Sequence, residues 1–120
     1  MGRRSLKDSF SNALDGIGYA VVSGRNMRIH LLAAVLAILT GVWLGINRHE
    51  WVMIFICVFM VLTVETINSA LEKTVDLITS KYHPLAKHAK NMAAGAVLFT
   101  AVNAVIVGIL VFGPYLLKKF

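Results

Sequence analysis

Glu65, Asn68, Ser69, Glu72 and Asp76 follow directly on the apolar run WVMIFICVFMVLT. Their offsets of 0, 3, 4, 7 and 11 residues place them within an arc of roughly 100° on a helix that turns about 100° per residue. Carboxylates on such an edge can hold Mg²⁺, and a carboxylate set deep in the membrane can take a proton from an alcohol. Glu65 lies 14 residues past Trp51, about 21 Å along a helix axis. With hydrocarbon about 30 Å thick, Glu65 is expected just inside one bilayer face, Glu72 near the headgroups and Asp76 in water. An acid at membrane depth is costly and marks function by default. An edge that joins oil to water suits a reaction between a lipid headgroup and a dissolved reagent.

The segment that follows, SKYHPLAKHAKN, supplies Lys81, His83, Lys87, His88 and Lys90. Cations there can hold phosphates. Together the parts suggest ATP-dependent phosphorylation of a lipid alcohol. The chain has no GxxxxGK[ST], GxGxxG, HRD or DFG, so a kinase built from it is unrelated to the common nucleotide-binding classes. It has no HExxH or CxxC either, so no zinc site is suggested.

The elements that must carry these residues are apolar. Of 120 residues, 58% are hydrophobic and 15% charged, against about 25% charged in a soluble domain. The mean hydropathy is +0.72. This is the composition of an integral membrane protein with room for about three crossings. The net charge of +6 comes from residues flanking apolar runs, which favours anionic lipid or a phosphorylated ligand over nucleic acid. The single cysteine, Cys57, lies within an apolar run, which excludes a disulfide framework. The basic start has no adjoining apolar core, unlike a signal peptide.

One all-α domain is expected over residues 1–120. Residues 3–25 read as an amphipathic surface helix, with Leu6, Phe10, Ala13, Leu14, Ile17 and Val21 at spacings of three and four. Three spans follow at 29–46, 51–78 and 92–117, the second with a cytoplasmic extension. NRHE reads as a tight turn, and TSKYHPLAKHAKN as a polar connection. Ala104 and Gly108 are small residues four apart, a spacing that lets helix backbones approach closely. Nine of the 12 lysines and arginines fall before the first span or between the second and third. That asymmetry puts the N-terminus in the cytoplasm and the C-terminus outside a cell membrane.

ETINSALEKTVDLI, HPLAKHAKNMAAGAVL and RNMRIH resemble, in order and spacing, the motifs of the small prokaryotic membrane kinases. This is the diacylglycerol kinase and undecaprenol kinase family, and HPLAK and RNMRIH look nearer its Gram-positive undecaprenol kinases. The resemblance implies a homotrimeric bundle with active sites shared between subunits, and ATP with Mg²⁺ as phosphoryl donor. It implies Glu65 as general base and Glu72 as metal ligand. It implies Glu72, Asp76, Lys81, Tyr82, His83, Lys90 and Asn91 as nucleotide contacts. It implies Asn68, Ser69, Asn26, Arg28, His30 and Ala94 as lipid-substrate contacts.

Two positions depart from the pattern. Asn91 stands where the family motif has Asp, and Gly24 stands where a metal-linked Glu is usual. The expected product is undecaprenyl phosphate. Phosphatidic acid from diacylglycerol is the alternative, and a weakly active or inactive lipid- and nucleotide-binding member is a second.

Overall fold

The computed structural model describes residues 5–120; Arg3 and Arg4 lie outside them. Four helices follow in order: α1 (Leu6–Ser23), α2 (Arg25–Leu44), α3 (Arg48–Ile78) and α4 (Pro84–Lys119). No strand occurs among the described residues. Helices α2, α3 and α4 are each long and apolar enough to cross a membrane. Many of their large side chains point outward: Phe99 is 81% exposed and Leu110 69%. Helices that are apolar nearly all round with so little buried need lipid or another chain as solvent. The protein is a multi-pass membrane protein.

Each break between helices has a local cause. Ser5 caps α1 by accepting the Asp8 N–H at 3.1 Å. Between α1 and α2 only Gly24 is non-helical, with φ −114° and ψ 115°. A Cβ there would lie 2.9 Å from the Ala20 carbonyl oxygen, so the corner is built for glycine. Arg28 reaches back and donates to the carbonyls of Val21 and Val22 at 3.0 and 2.8 Å, satisfying the exposed end of α1 with a cation.

At the other end of α2, Gly45 takes the left-handed conformation at φ 66°, the usual glycine stop. Asn47 and Glu50 then form a reciprocal capping box, each side chain bonded to the other's backbone N–H at 3.0 Å. Arg48, His49 and Glu50 are therefore the first turn of α3 rather than a turn of the NRHE type predicted. Ile46 is buried beside them.

Helix α4 begins at Pro84, where a span from Met92 and a polar connection through Asn91 were expected. Proline suits a first helical turn because its missing N–H needs no partner, and His83 caps the helix through Nδ1. The 36-residue α4, about 54 Å long at 1.5 Å per residue, accounts for the 55 Å length of the molecule.

Helix α3 packs mainly against α4 and less against α2. The tightest core lies at the Trp51 end, where Leu44, Ile46, Ile54 and Val111 cluster with Trp51 and Tyr115. Toward the other end, α2 and α4 part around an apolar groove of about 260 Å³ lined by Ala34, Ala37, Cys57, Val61, Ala104 and Gly108. Within the chain a Cβ on Gly108 would meet nothing within 4 Å, so Ala104 and Gly108 line the groove rather than touch a helix of the same chain.

On α1 the stripe of Leu6, Phe10, Leu14 and Ile17 is exposed, as on a helix lying in a membrane surface. Only its end is held, by buried Ala20 and by the Lys73 ammonium 5.3 Å from the Tyr19 ring centroid.

Candidate active site

The polar edge of α3 divides into a buried half and a wet half. Glu65, Asn68 and Ser69 are buried, with Glu65 only 3% exposed. Glu72 and Asp76 are exposed. The spacing that put all five on one face therefore also grades them from protein interior to water along about 16 Å of helix.

In the buried half, His30 of α2 brings Nε2 to 3.8 Å from the Glu65 carboxylate. The Asn68 amide donates to Glu72 Oε1 at 3.3 Å. Its oxygen, Oδ1, is buried with no hydrogen-bond partner among the described residues. A buried acceptor left open is costly, on the order of 1–3 kcal/mol, and invites a ligand or cation. Buried unsatisfied groups are rare enough to need a reason. This one sits beside Glu72 on the same helix face.

In the wet half, Lys90 of α4 pairs with Asp76 at 2.5 Å. The pair stands at a polar cavity of about 460 Å³ between the end of α3 and the start of α4, lined also by Thr79, Lys81, His83 and Lys87. Tyr82 and Asn91 line it too. Three lysines around one concavity make a place for a polyphosphate. His83 has Nδ1 engaged in capping, which leaves Nε2 to face a ligand. Asp76 offsets one of the lysines, so the cavity is positive but not uniformly so.

Among the remaining sequence candidates, Arg28 is committed to the end of α1, which gives it a holding role at that corner. Asn26 and Ala94 are exposed and line neither cavity. Lys87 lines the cavity as its place among the basic residues suggested; Thr79 and the apolar groove were not legible, because they depend on how the helices meet.

The family model described as prokaryotic diacylglycerol kinase matches residues 11–112. The chain belongs to that family. An undecaprenol kinase of Bacillus subtilis is 43% identical over 108 residues, covering 90% of this chain and 88% of its own. A diacylglycerol kinase of Helicobacter pylori is 35% identical over 119 residues, covering 99% and 90%. The diacylglycerol kinase of Escherichia coli K12 is 36% identical over 91 residues, covering 76% and 75%. A member of this lipid kinase family is an enzyme, an ATP-dependent phosphotransferase held in the membrane by its helices. In this chain the buried acid and the open amide lie on the same α3 edge as Asp76, which lines the lysine-bearing cavity.

Proposed function

We propose that this prokaryotic diacylglycerol kinase family member phosphorylates undecaprenol, with ATP as donor. The observation that carries the reading is the graded edge of α3, with Glu65 buried at one end and the Asp76–Lys90 cavity at the other. Support for undecaprenol comes from the Bacillus subtilis relative, 43% identical, and from the HPLAK and RNMRIH segments. Diacylglycerol is the second reading, favoured by the Helicobacter and Escherichia relatives.

The lipid hydroxyl enters from the bilayer against Glu65, with Asn68 and Ser69 beside it. Glu65 accepts the hydroxyl proton. The lipid oxygen bonds to the γ-phosphorus, the bond from that phosphorus to the β–γ bridging oxygen breaks, and ADP leaves. Lys90, Lys81 and Lys87 hold the phosphates, and most of the acceleration comes from positioning and charge neutralisation. Tyr82 and His83 flank the nucleotide.

Among the described residues no group of three or more His, Cys, Asp or Glu side chains is placed to hold a metal by itself. Mg²⁺ does not need one, since it is commonly bound by one or two carboxylates together with substrate phosphates. Glu72 and the open oxygen of Asn68 are hard donors that fit this arrangement and are the residues assigned to hold it. When bound, the cation neutralises phosphate charge.

Lysine and arginine asymmetry supports a cytoplasmic polar cavity, and the uncovered apolar faces of α2–α4 leave room for the homotrimer that the family resemblance implies. Gly24 is part of this reading. An acid at that position would need the α1–α2 corner to move, so the site works with Glu72 as its one metal-binding carboxylate.

The test is γ-phosphate transfer by purified protein in detergent with Mg²⁺ATP, undecaprenol and diacylglycerol assayed side by side. Turnover of undecaprenol above diacylglycerol supports the reading. The reverse preference establishes the second reading. No product from either lipid with folded protein refutes both.

A further inference from the structure

We propose that His30 is a positioning residue that holds the Glu65 carboxylate where the lipid hydroxyl meets it. The inference rests on Glu65 being the general base. Glu65 comes from the middle of α3 with its side chain 4% exposed, so water cannot orient it. Of the ion-pair contacts among the described residues, its own is with His30 Nε2 at 3.8 Å; the other joins Asp76 to Lys90. The next polar side chain on the first turns of α2, Arg28, is spent on the carbonyls of Val21 and Val22. His30 is the group on α2 that reaches the acid.

The 3.8 Å separation exceeds a hydrogen bond. Catalytic contacts in ligand-free enzymes are often long and tighten when substrate binds.

The second observation is the groove. His30 stands at its margin, in line with Ala34, Ala37 and Val61. One edge of the imidazole faces the acid while the ring borders the apolar slot. A residue at that junction can close the slot behind Glu65 and restrict the carboxylate to one orientation.

A lipid contact and a positioning contact give different kinetics. Loss of a contact to the lipid raises its KM. Loss of a positioning contact lowers kcat with the KM for ATP and for the lipid unchanged. Misplacing a reacting group by about 1 Å costs on the order of 10²-fold.

The experiment compares His30→Phe, which keeps the ring and loses the nitrogens, with His30→Gln, which keeps a donor at similar reach. His30→Phe is expected to lose about 10²-fold in kcat, and His30→Gln to recover most of it. In a Glu65→Gln background, His30→Phe is expected to cost nothing further, because residues that act as a unit are not additive. The inference is overturned if His30→Phe keeps wild-type kcat, if the lipid KM alone rises, or if His30→Gln is as poor as His30→Phe. Should His30→Phe fail to fold, judged by thermal melting in detergent, His30→Leu takes its place in the same contrast. An active Glu65→Gln protein would instead remove the general-base reading, so the two failures are separable.

Discussion

The Trp51 end and the Lys90 end of the bundle are built on opposite principles. At the Trp51 end Asn47, Glu50, Tyr115 and Lys119 each have a partner. The Tyr115 hydroxyl donates to Glu50 at 2.5 Å, Asn47 and Glu50 cap one another, and the Lys119 ammonium lies 4.9 Å from the Trp43 ring centroid. Trp51 stacks on Phe55 with centroids 5.6 Å apart and fills the space left by Gly41. Toward the Lys90 end, an acid is buried, an amide oxygen has no partner, and a cavity of about 460 Å³ is open. Satisfied polar groups hold a fold, whereas unsatisfied ones wait for a ligand. One end thus supplies stability and leaves the other open to a ligand.

Variants at the two ends should therefore separate. The largest effect is expected from Glu65→Gln, which removes the base. General acid–base groups contribute about 10²–10⁴-fold, and transfer should fall by that order with the melting temperature intact. Next comes Lys90→Met, which removes a phosphate-holding charge and frees Asp76 to repel the nucleotide. Steady-state kinetics should show kcat/KM for ATP down by about 10²-fold, the scale of one lost electrostatic stabiliser.

At the Trp51 end the order of effects reverses. A Cβ on Gly41 would lie 2.7 Å from Trp51 Cη2, so Gly41→Leu overpacks a rigid ring and should destabilise by about 1–3 kcal/mol. Thermal unfolding in detergent measures this, and activity per folded molecule should not change. The smallest effect is expected from Tyr115→Phe, which removes one hydrogen bond to Glu50 at a partly exposed position where water can replace it. Its kcat should match wild type. A fall in kcat for either variant, at temperatures where the protein stays folded, would show that the two ends are coupled.

Much of this was legible in the sequence because α3 has a strong period. Glu65, Asn68, Ser69, Glu72 and Asp76 share a face through spacing alone, and depth follows from rise per residue. The three spans were legible as apolar length. Helix ends were less so. Pro84 and the basic residues after it read as a connection, but a proline also starts a helix well, and α4 takes in Lys87, Lys90 and Asn91. That extension is what stiffens one wall of the polar cavity.

Contacts between helices were not legible. His30 and Glu65 are 35 residues apart, and nothing local in either segment pairs them. That Arg28 also holds the end of α1, through Nη1, was not readable from RNMRIH. The departure at Gly24 was visible in the sequence, but its physical reason, the Ala20 carbonyl against an added Cβ, needed the corner between α1 and α2.

The account stands on a division of labour along α3, with proton transfer at Glu65 and nucleotide held a few turns away. The most direct measurement is MgATP affinity and lipid phosphorylation, taken on one detergent preparation of Glu65→Gln beside wild type. The account predicts wild-type nucleotide affinity with phosphorylated lipid nearly absent. Product at the wild-type rate, or nucleotide binding lost together with product, would contradict it.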